Sequence, residues 1–264
     1  MNLGLQGKLA VVSGSTAGIG LAIASALAAE GAKVVINGRT QARVDAAIKA
    51  IKQRASGADL RGVPVDLGTA PGVESFLRQV PAADVLVNNL GIFEPKPFLE
   101  IPDADWVRFF EVNVLSGVRL ARAYLPGMLK KNWGRIIFIS SESAQHIPVE
   151  MIHYGMTKTA QVAIARGLAE STAGTGVTVN SILAGPTASE GVGGFLESMA
   201  KQQNISTAEI ERQFFASARP SSLLKRFETP EEVAAVVAFV ASAQALAING
   251  AAVRAEGGVV RSIF

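Results

Sequence analysis

The sequence predicts an α/β fold: one doubly wound sheet of seven parallel strands with helices on both faces. Short runs rich in β-branched residues alternate with longer segments of helical period. The strand runs are apolar without interruption, as in strands buried on both faces, and parallel strands need helical crossovers. Because folds built on one large sheet reach this length undivided, we expect residues 1–264 to form a single domain.

The elements follow one another in a regular order. A strand at 9–13, a helix at 19–30 and a strand at 33–37 form a βαβ unit. Later strands are predicted at 61–65, 85–88, 135–140, 177–183 and 251–255, and later helices at 40–54, 72–80, 103–130, 151–171 and 230–242. Ligands of such sheets bind beyond the carboxyl ends of the strands, so the site is expected there.

Residues 186–227 interrupt this alternation. The segment has no strand pattern, three glycines near its start and two short apolar helical stretches at 195–199 and 210–215. A connection of this length inside a compact domain is usually functional. We therefore predict a substrate lid hinged at the glycines, with a surface excursion as the alternative.

The composition excludes several classes of protein. The 25 Lys and Arg against 22 Asp and Glu give a net charge of +3, and no basic run marks a nucleic-acid or membrane partner. The sequence has no cysteine, which excludes disulfides and thiolate metal sites, and we expect no metal site. With neither a signal-peptide pattern at the start nor an apolar window of about 20 residues, a cytoplasmic location is expected.

A glycine-rich turn follows the first strand. Residues 13–20 read SGSTAGIG and lead directly into an apolar helix. Small residues let the backbone approach a pyrophosphate, and the unpaired N–H groups and dipole of the helix favour an anion. The turn predicts a dinucleotide site whose binding residues are Gly14, Ser15, Thr16, Gly18, Ile19 and Gly20.

Two other interpretations of this turn fail on their chemistry. A P-loop needs a lysine after its last glycine, and none follows Gly20 in the required place. The nucleophile elbow of hydrolases needs a serine where this chain has Thr16. Its triad also needs a histidine, and the two in the chain, His146 and His153, are better explained as structural or pocket-lining residues.

The turn and several later motifs resemble those of the classical short-chain dehydrogenases/reductases. The turn matches TGxxxGxG with Ser13 for threonine, and residues 88–91, NNLG, match the family's NNAG. Three further matches follow: Asn113 in the long helix, Ser141 at the family's separation from Tyr154, and the YxxxK motif of Tyr154 and Lys158. The resemblance implies a Rossmann-like fold and hydride transfer between NADP(H) and a carbonyl or alcohol.

The YxxxK spacing has a physical purpose. Residues four apart on a helix share a face, so Lys158 lies beside the Tyr154 phenol. A nearby cation favours the ionised phenol, whose ordinary pKa is about 10. Lys158 and a positive nicotinamide can therefore bring Tyr154 into a useful range for general acid/base catalysis.

The resemblance implies further roles. Lys158 would also bind the nicotinamide ribose, Ser141 the substrate oxygen, and Asn113 a water of a proton relay. The remaining cofactor contacts would come from Asn89, from Asp66 at the adenine, and from Thr187 or Ser189 at the carboxamide. Relatives pair the helices at 103–130 and 151–171 between subunits, which implies a homotetramer or a homodimer.

The end of the second strand predicts a preference for NADP(H), with NAD(H) possible. NAD-specific enzymes place a carboxylate there, which repels a 2′-phosphate. This chain has Gly38 followed by Arg39, which can bind the phosphate through a charge-assisted contact. The alternative is that Arg39 is solvated at the start of a helix.

Two matters stay open. A non-catalytic NADP(H)-binding sensor or scaffold is the alternative to an enzyme, because fold does not determine function. The substrate is not specified either: between 187 and 228 five basic residues balance five acidic ones. The apolar residues of this segment, Phe195, Leu196, Met199, Phe214 and Phe215, favour a hydrophobic carbonyl or alcohol.

Overall fold

The computed structural model describes residues 2–263, apart from side-chain detail at 191 and 195. Within this range one parallel sheet of seven strands has the order β3-β2-β1-β4-β5-β6-β7. The strands are β1 (Leu9–Val12), β2 (Lys33–Gly38), β3 (Leu60–Pro64), β4 (Val85–Asn88), β5 (Gly134–Ser141), β6 (Val177–Ala184) and β7 (Ala252–Ala255). The predicted doubly wound fold is confirmed.

Helices connect the strands. They are α1 (Gly18–Ala29), α2 (Gln41–Arg54), α3 (Ala70–Gln79), α4 (Asp103–Phe110), α5 (Ser116–Lys131), α6 (Ile152–Ser171), α7 (Glu190–Gln203), α8 (Thr207–Ser217) and α9 (Pro230–Val240). Most predicted bounds differ from these by one or two residues, as is usual at element ends. The predicted helix at 103–130 is interrupted by a π-helical turn at Glu111–Leu115, which hydrophobic periodicity does not distinguish from α-helix.

The core lies on both faces of the sheet. Ala10 and Val12 pack against α1, α2 and α9, and Val11, between them, packs against α3, α5 and α6 on the other face. Successive strand side chains point to opposite faces, so apolar residues in a row are needed when both faces are covered. None of the helices within 2–263 combines the length and hydropathy needed to cross a bilayer.

The strand order determines where the site forms. The chain runs from β1 to β3 on one side of β1 and from β4 to β7 on the other, so the order reverses between β1 and β4. At such a switch point the connections diverge and leave a crevice beyond the carboxyl ends of the strands. The glycine turn after β1 and the loops after β4, β5 and β6 border this crevice.

The segment 186–227 folds as two helices, both longer than predicted. The side chains of Ser189 and Ser206 accept hydrogen bonds from the backbone at the starts of α7 and α8, and α7 ends at Asn204 in a left-handed conformation. These serines begin each helix before its apolar stretch, which is why the apolar pattern underestimated both lengths. Thr187 and Glu228 form a bridge at the base of the segment.

Candidate active site

The glycine turn brings its backbone close to the neighbouring loop. Gly14 and Gly18 have positive φ angles of 62° and 53°, which glycine adopts without a steric penalty. A Cβ atom at Gly20 would overlap the carbonyl oxygen of Gly14 and the side-chain nitrogen Nδ2 of Asn89. The turn therefore needs glycine at these positions.

Side chains hold the turn from beneath. Asn89 Nδ2 donates to the carbonyl oxygens of Ser13 and Gly14, at 3.0 and 3.1 Å. Ser15 is fully buried, and its hydroxyl donates to Val12 O and accepts from Asn37 N. The side chains of Asn89 and Ser15 thus shape the turn, and the hydroxyl of Ser15 makes its bonds within the protein.

The N-terminus of α1 is open to an anion. The residue before the helix, Ala17, makes no side-chain capping bond, and the first turn contains no acidic residue. Unpaired N–H groups at a helix start carry the positive end of the helix dipole. On the other side of the turn, Ser189 approaches Gly18 closely. The arrangement fits a pyrophosphate between the starts of α1 and α7.

The end of β2 carries no carboxylate. Gly38 packs so closely on Thr16 that a Cβ atom would overlap the threonine methyl group, and Arg39 is exposed beside it. In α2, Arg43 forms a two-pronged ion pair with Glu190 of α7, with distances of 2.8 and 3.3 Å. This pair connects α2, the helix after β2, to the 186–227 segment.

Asn113 lies in the π-helical turn and is buried. Its side chain accepts from Ile92 N at 2.7 Å and donates to Ile92 O and to Thr157 Oγ1, both at 3.0 Å. Its backbone carbonyl accepts from Gln161 Nε2 at 2.6 Å. Asn113 therefore joins the loop after β4 to α6.

Ser141, Tyr154 and Lys158 line one cavity. Ser141 ends β5, and its hydroxyl accepts from Ser143 N at 3.1 Å. The ring of Phe93 meets Tyr154 edge to face, with centroids 6.4 Å apart. Lys158 Nζ donates to Ile139 O at 2.9 Å and lies 5.5 Å from the centre of the Tyr154 ring.

Burial dominates the electrostatics of this group. It raises the pKa of Tyr154 to about 12, against the lowering effect of the hydrogen bond with Ser141. It also lowers the pKa of Lys158 to about 8. In the protein alone, desolvation outweighs the lowering effects of the Ser141 hydrogen bond and of the Arg219 charge, so the phenol pKa is raised and not lowered as expected.

The cavity has a volume of about 620 Å³ and opens at the carboxyl ends of β5 and β6. Asn89 and Ile19 line it on the side of the glycine turn, and Thr187 and Ser189 line it too. The Thr187 hydroxyl donates to Gly185 O, whereas Ser189 caps α7. Asp66 does not line the cavity: it is exposed after β3, where its side chain accepts from Gly68 N.

The segment 186–227 forms one wall of the cavity. Leu196 and Met199 of α7 and Ile210 and Phe214 of α8 line it, while the side chain of Phe195 lies outside the described part of the structure. Phe215 is buried and packs edge to face on Phe227, with ring centroids 5.2 Å apart. The structure thus describes the side chains of four of the five apolar residues named from the sequence, and three of these line the cavity: Leu196, Met199 and Phe214.

Three charged residues of the cavity wall, Glu142, Glu150 and Arg219, were not predicted from the sequence. Glu142 follows Ser141 and is 2% exposed, and Arg219 follows α8 and is 4% exposed. Arg219 Nε donates to Glu142 Oε1 at 2.7 Å, and its Nη1 lies 3.4 Å from Glu150 Oε1. No sequence motif predicts the contact between Glu142 and Arg219, which are 77 positions apart. The only sequence signal is the glutamate directly after Ser141.

Neither histidine lines the cavity. His153 is fully buried against Phe109, with ring centroids 4.1 Å apart, and burial lowers its pKa. His146 is exposed. The structural interpretation of His153 agrees with this packing, and a hydrolase triad has no base here.

The comparisons with known proteins place the chain in a family. The family model for short chain dehydrogenases matches residues 8–199. A Bacillus subtilis protein named uncharacterized oxidoreductase YvaG is 50% identical over all of both chains. This chain belongs to the short-chain dehydrogenase/reductase family.

Relatives with named activities are more distant. The D-beta-hydroxybutyrate dehydrogenase of Cupriavidus necator is 35% identical over 97% of this chain and 99% of that protein. The crystal structure of L-sorbose reductase from Gluconobacter frateurii, in complex with NADPH and L-sorbose, superposes with a TM-score of 0.94 at 31% identity over all of both chains. The family is thus an oxidoreductase family whose members act on different substrates.

Proposed function

We propose that this protein is an NADP(H)-dependent oxidoreductase that transfers a hydride between the cofactor and a carbonyl or alcohol. The observation that carries the proposal is the single cavity that Ser141, Tyr154 and Lys158 share with the loop beside the glycine turn. The L-sorbose reductase structure, which contains NADPH, supports the choice of cofactor. The uncapped start of α1 and the glycine cradle fit a dinucleotide.

The residues divide the proton chemistry among them. A bound nicotinamide supplies the hydride, and Tyr154 Oη gives its proton to the substrate oxygen during reduction. The raised pKa of Tyr154, about 12, keeps the phenol protonated at neutral pH, as the reductive direction requires. Ser141 Oγ bonds the same substrate oxygen and orients it towards the phenol.

Lys158 and Asn113 support this step. Lys158 binds the nicotinamide ribose and supplies positive charge near Tyr154 as the phenolate forms. Asn113 is proposed to hold a water through its backbone carbonyl oxygen. This oxygen already accepts one hydrogen bond, from Gln161 Nε2. A carbonyl oxygen has two lone pairs, so the second can accept from a relay water that returns a proton to Tyr154.

The direct test is NADPH oxidation with a panel of ketones, aldehydes and quinones. Turnover of any of them supports the enzyme. Binding of NADPH without turnover of the whole panel would favour the sensor or scaffold instead. The polar groups collected in the cavity beside the cofactor site support the enzyme over that alternative.

We predict that Arg39→Ala weakens the preference for NADP(H) over NAD(H). A hydrogen bond to a charged group contributes about 1.5–3 kcal/mol, or roughly tenfold to over a hundredfold in affinity. The measurement is kcat/KM for both cofactors, with Arg43→Ala as the control because Arg43 is bound to Glu190. Unchanged discrimination in Arg39→Ala, or a wild type that favours NADH, would contradict the assignment.

We predict that residues 186–227 act as a substrate lid and exchange amide hydrogens more slowly once cofactor and substrate are bound. The segment forms a cavity wall, so ligands should add contacts to it. Hydrogen exchange measured by mass spectrometry checks this, with α3, which contributes no residue to the cavity, as the internal reference. Equal protection with and without ligands would make the segment a surface excursion.

We predict a homotetramer or homodimer in which α4, α5 and α6 pair between subunits. Two large apolar side chains of α4 are exposed, Val107 at 68% and Phe110 at 37%. Such side chains on one helix suit an interface with a second copy. Light scattering at micromolar concentration measures the mass, and a value of 27.5 kDa would mean a monomer.

A further inference from the structure

Only one of the two carboxylate oxygens of Glu142 accepts a hydrogen bond from the described residues. Oε1 accepts from Arg219 Nε at 2.7 Å. Oε2 is buried and has no hydrogen-bond partner among the described residues. A buried acceptor without a donor is costly, and more so when it is charged. Because Glu142 lines the cavity, a bound molecule can supply the missing donor.

Arg219 holds this carboxylate in place. Its guanidinium also donates to Ala218 O at 2.8 Å and lies near Glu150. The contact joins the end of α8 to the residue after β5, so the side chain of Glu142 is fixed from the lid side. A carboxylate held in this way is preorganised to accept from a ligand.

Glu142 is next in the chain to Ser141, the residue proposed to bind the substrate oxygen. Consecutive Cα atoms are about 3.8 Å apart, so Glu142 lies directly beside Ser141, which orients the substrate oxygen. Its charge also reaches the phenol, because it contributes to the raised pKa of Tyr154. Glu142 and Ser141 both line the cavity, so a donor group next to the carbonyl carbon of the substrate would lie against the part of the wall that contains Glu142.

The charges of the cavity disfavour an anionic substrate. Its charged lining residues, within the described chain, are Glu142, Glu150, Lys158 and Arg219. Arg219 is paired with both glutamates, and Lys158 is the residue proposed to bind the nicotinamide ribose. No cation of this lining is left to bind a carboxylate of the substrate.

The rest of the wall is mainly apolar. Ile92, Phe93 and Met151 line one part, and the apolar residues of α7 and α8 line another. Such a wall binds an alkyl group by the hydrophobic effect and offers few partners for a chain of hydroxyls.

We propose that Glu142 selects a neutral ketone with a hydroxyl group on the carbon next to the carbonyl and an apolar tail beyond it. Glu142 Oε2 accepts the hydrogen bond of that hydroxyl, and the tail lies along the apolar wall. The inference rests on the proposed function and adds the class of substrate to it.

The test compares three ketones of one chain length with NADPH: 1-hydroxyhexan-2-one, 6-hydroxyhexan-2-one and hexan-2-one. We expect kcat/KM for the first to exceed the other two by about tenfold to a hundredfold, the range of one hydrogen bond to a charged group. Glu142→Leu should bring this preference close to one. Equal values for 1-hydroxyhexan-2-one and hexan-2-one in the wild type, a preference kept in Glu142→Leu, or faster reduction of 3-oxobutanoate would overturn the proposal.

Two further variants keep the test decisive if Glu142→Leu does not fold. Glu142→Gln keeps a polar partner for Arg219 but replaces a charge-assisted bond with one about half as strong, so the preference should fall to about three- to tenfold. Glu150→Gln disturbs the other carboxylate at Arg219 and should keep the preference. An unchanged preference in Glu142→Gln, or an equal fall in Glu150→Gln, would count against Glu142.

Failure of the proposed function gives a different result, since no carbonyl is then reduced at all. Calorimetric titration of the NADP⁺ complex with hexane-1,2-diol and hexan-2-ol still tests the contact. Tighter binding of the diol that is lost in Glu142→Leu supports the proposal. Equal binding of the two alcohols overturns it.

Discussion

Tyr154→Phe should leave NADPH binding intact and lower kcat by roughly the 10²–10⁴ that a general acid/base group contributes. The substitution keeps the ring, so its edge-to-face contact with Phe93 survives. It removes the proton that the proposed mechanism transfers to the substrate oxygen. Steady-state kinetics give kcat, and fluorescence titration gives the dissociation constant of NADPH.

Tyr124→Phe is the matched control for this variant. Tyr124 is a buried phenol far from the cavity, and its hydroxyl donates to Val80 O at 2.8 Å. Its loss should lower stability by about 0.5–1.5 kcal/mol, the net worth of one hydrogen bond, without lowering kcat. Near-normal turnover by Tyr154→Phe would disprove the mechanism.

Lys158→Met should damage both cofactor binding and turnover. The ammonium is proposed to bind the ribose, so its loss should weaken NADPH binding by roughly tenfold to over a hundredfold. Turnover should also fall, because the positive charge that Lys158 is proposed to supply to the phenolate of Tyr154 is lost. The same kinetics and titration measure both effects, with the exposed Lys52→Met as control.

The fold should tolerate this change. Burial lowers the pKa of Lys158 from its ordinary value to about 8. Below pH 8 the lysine is protonated in both the folded and the unfolded chain, so the cost of burying the charge is fully present. That cost decreases as pH rises from about 8 towards the ordinary value. At pH 7, therefore, methionine should leave the Tm unchanged or raise it, and a large fall would mean that the activity loss reports unfolding.

The fold could be predicted because its signals are local. An apolar run such as β5 is long enough to identify by itself, and a glycine turn between a strand and a helix is typical of a dinucleotide-binding βαβ unit. The lengths of α7 and α8 were underestimated because capping by Ser189 and Ser206 depends on backbone geometry, not on hydrophobic period. The π-helical turn was missed for the same reason.

The site could be predicted only where its residues stand in fixed spacing. Tyr154 and Lys158 are four apart, and one helical turn brings them together whatever the rest of the chain does. Glu142 and Arg219 are 77 positions apart and meet only when the segment 186–227 packs over the end of β5. Arg43 and Glu190 are 147 apart and join across the crevice in the same way. Contacts of this kind depend on tertiary packing.

The π-helical turn at Glu111–Leu115 also sets the angular phase of α4. Such a turn takes up about one residue more than an α-helix of the same rise, and one residue corresponds to about 100° around the axis. Deleting a single residue of this turn would leave the length of the helix unchanged but would rotate α4 by about 100° around the helix axis. Phe109 would leave His153, and Asn113 would lose its alignment with Ile92. The one extra residue of the π-helical turn thus lets Phe109 face His153 while Asn113 faces Ile92.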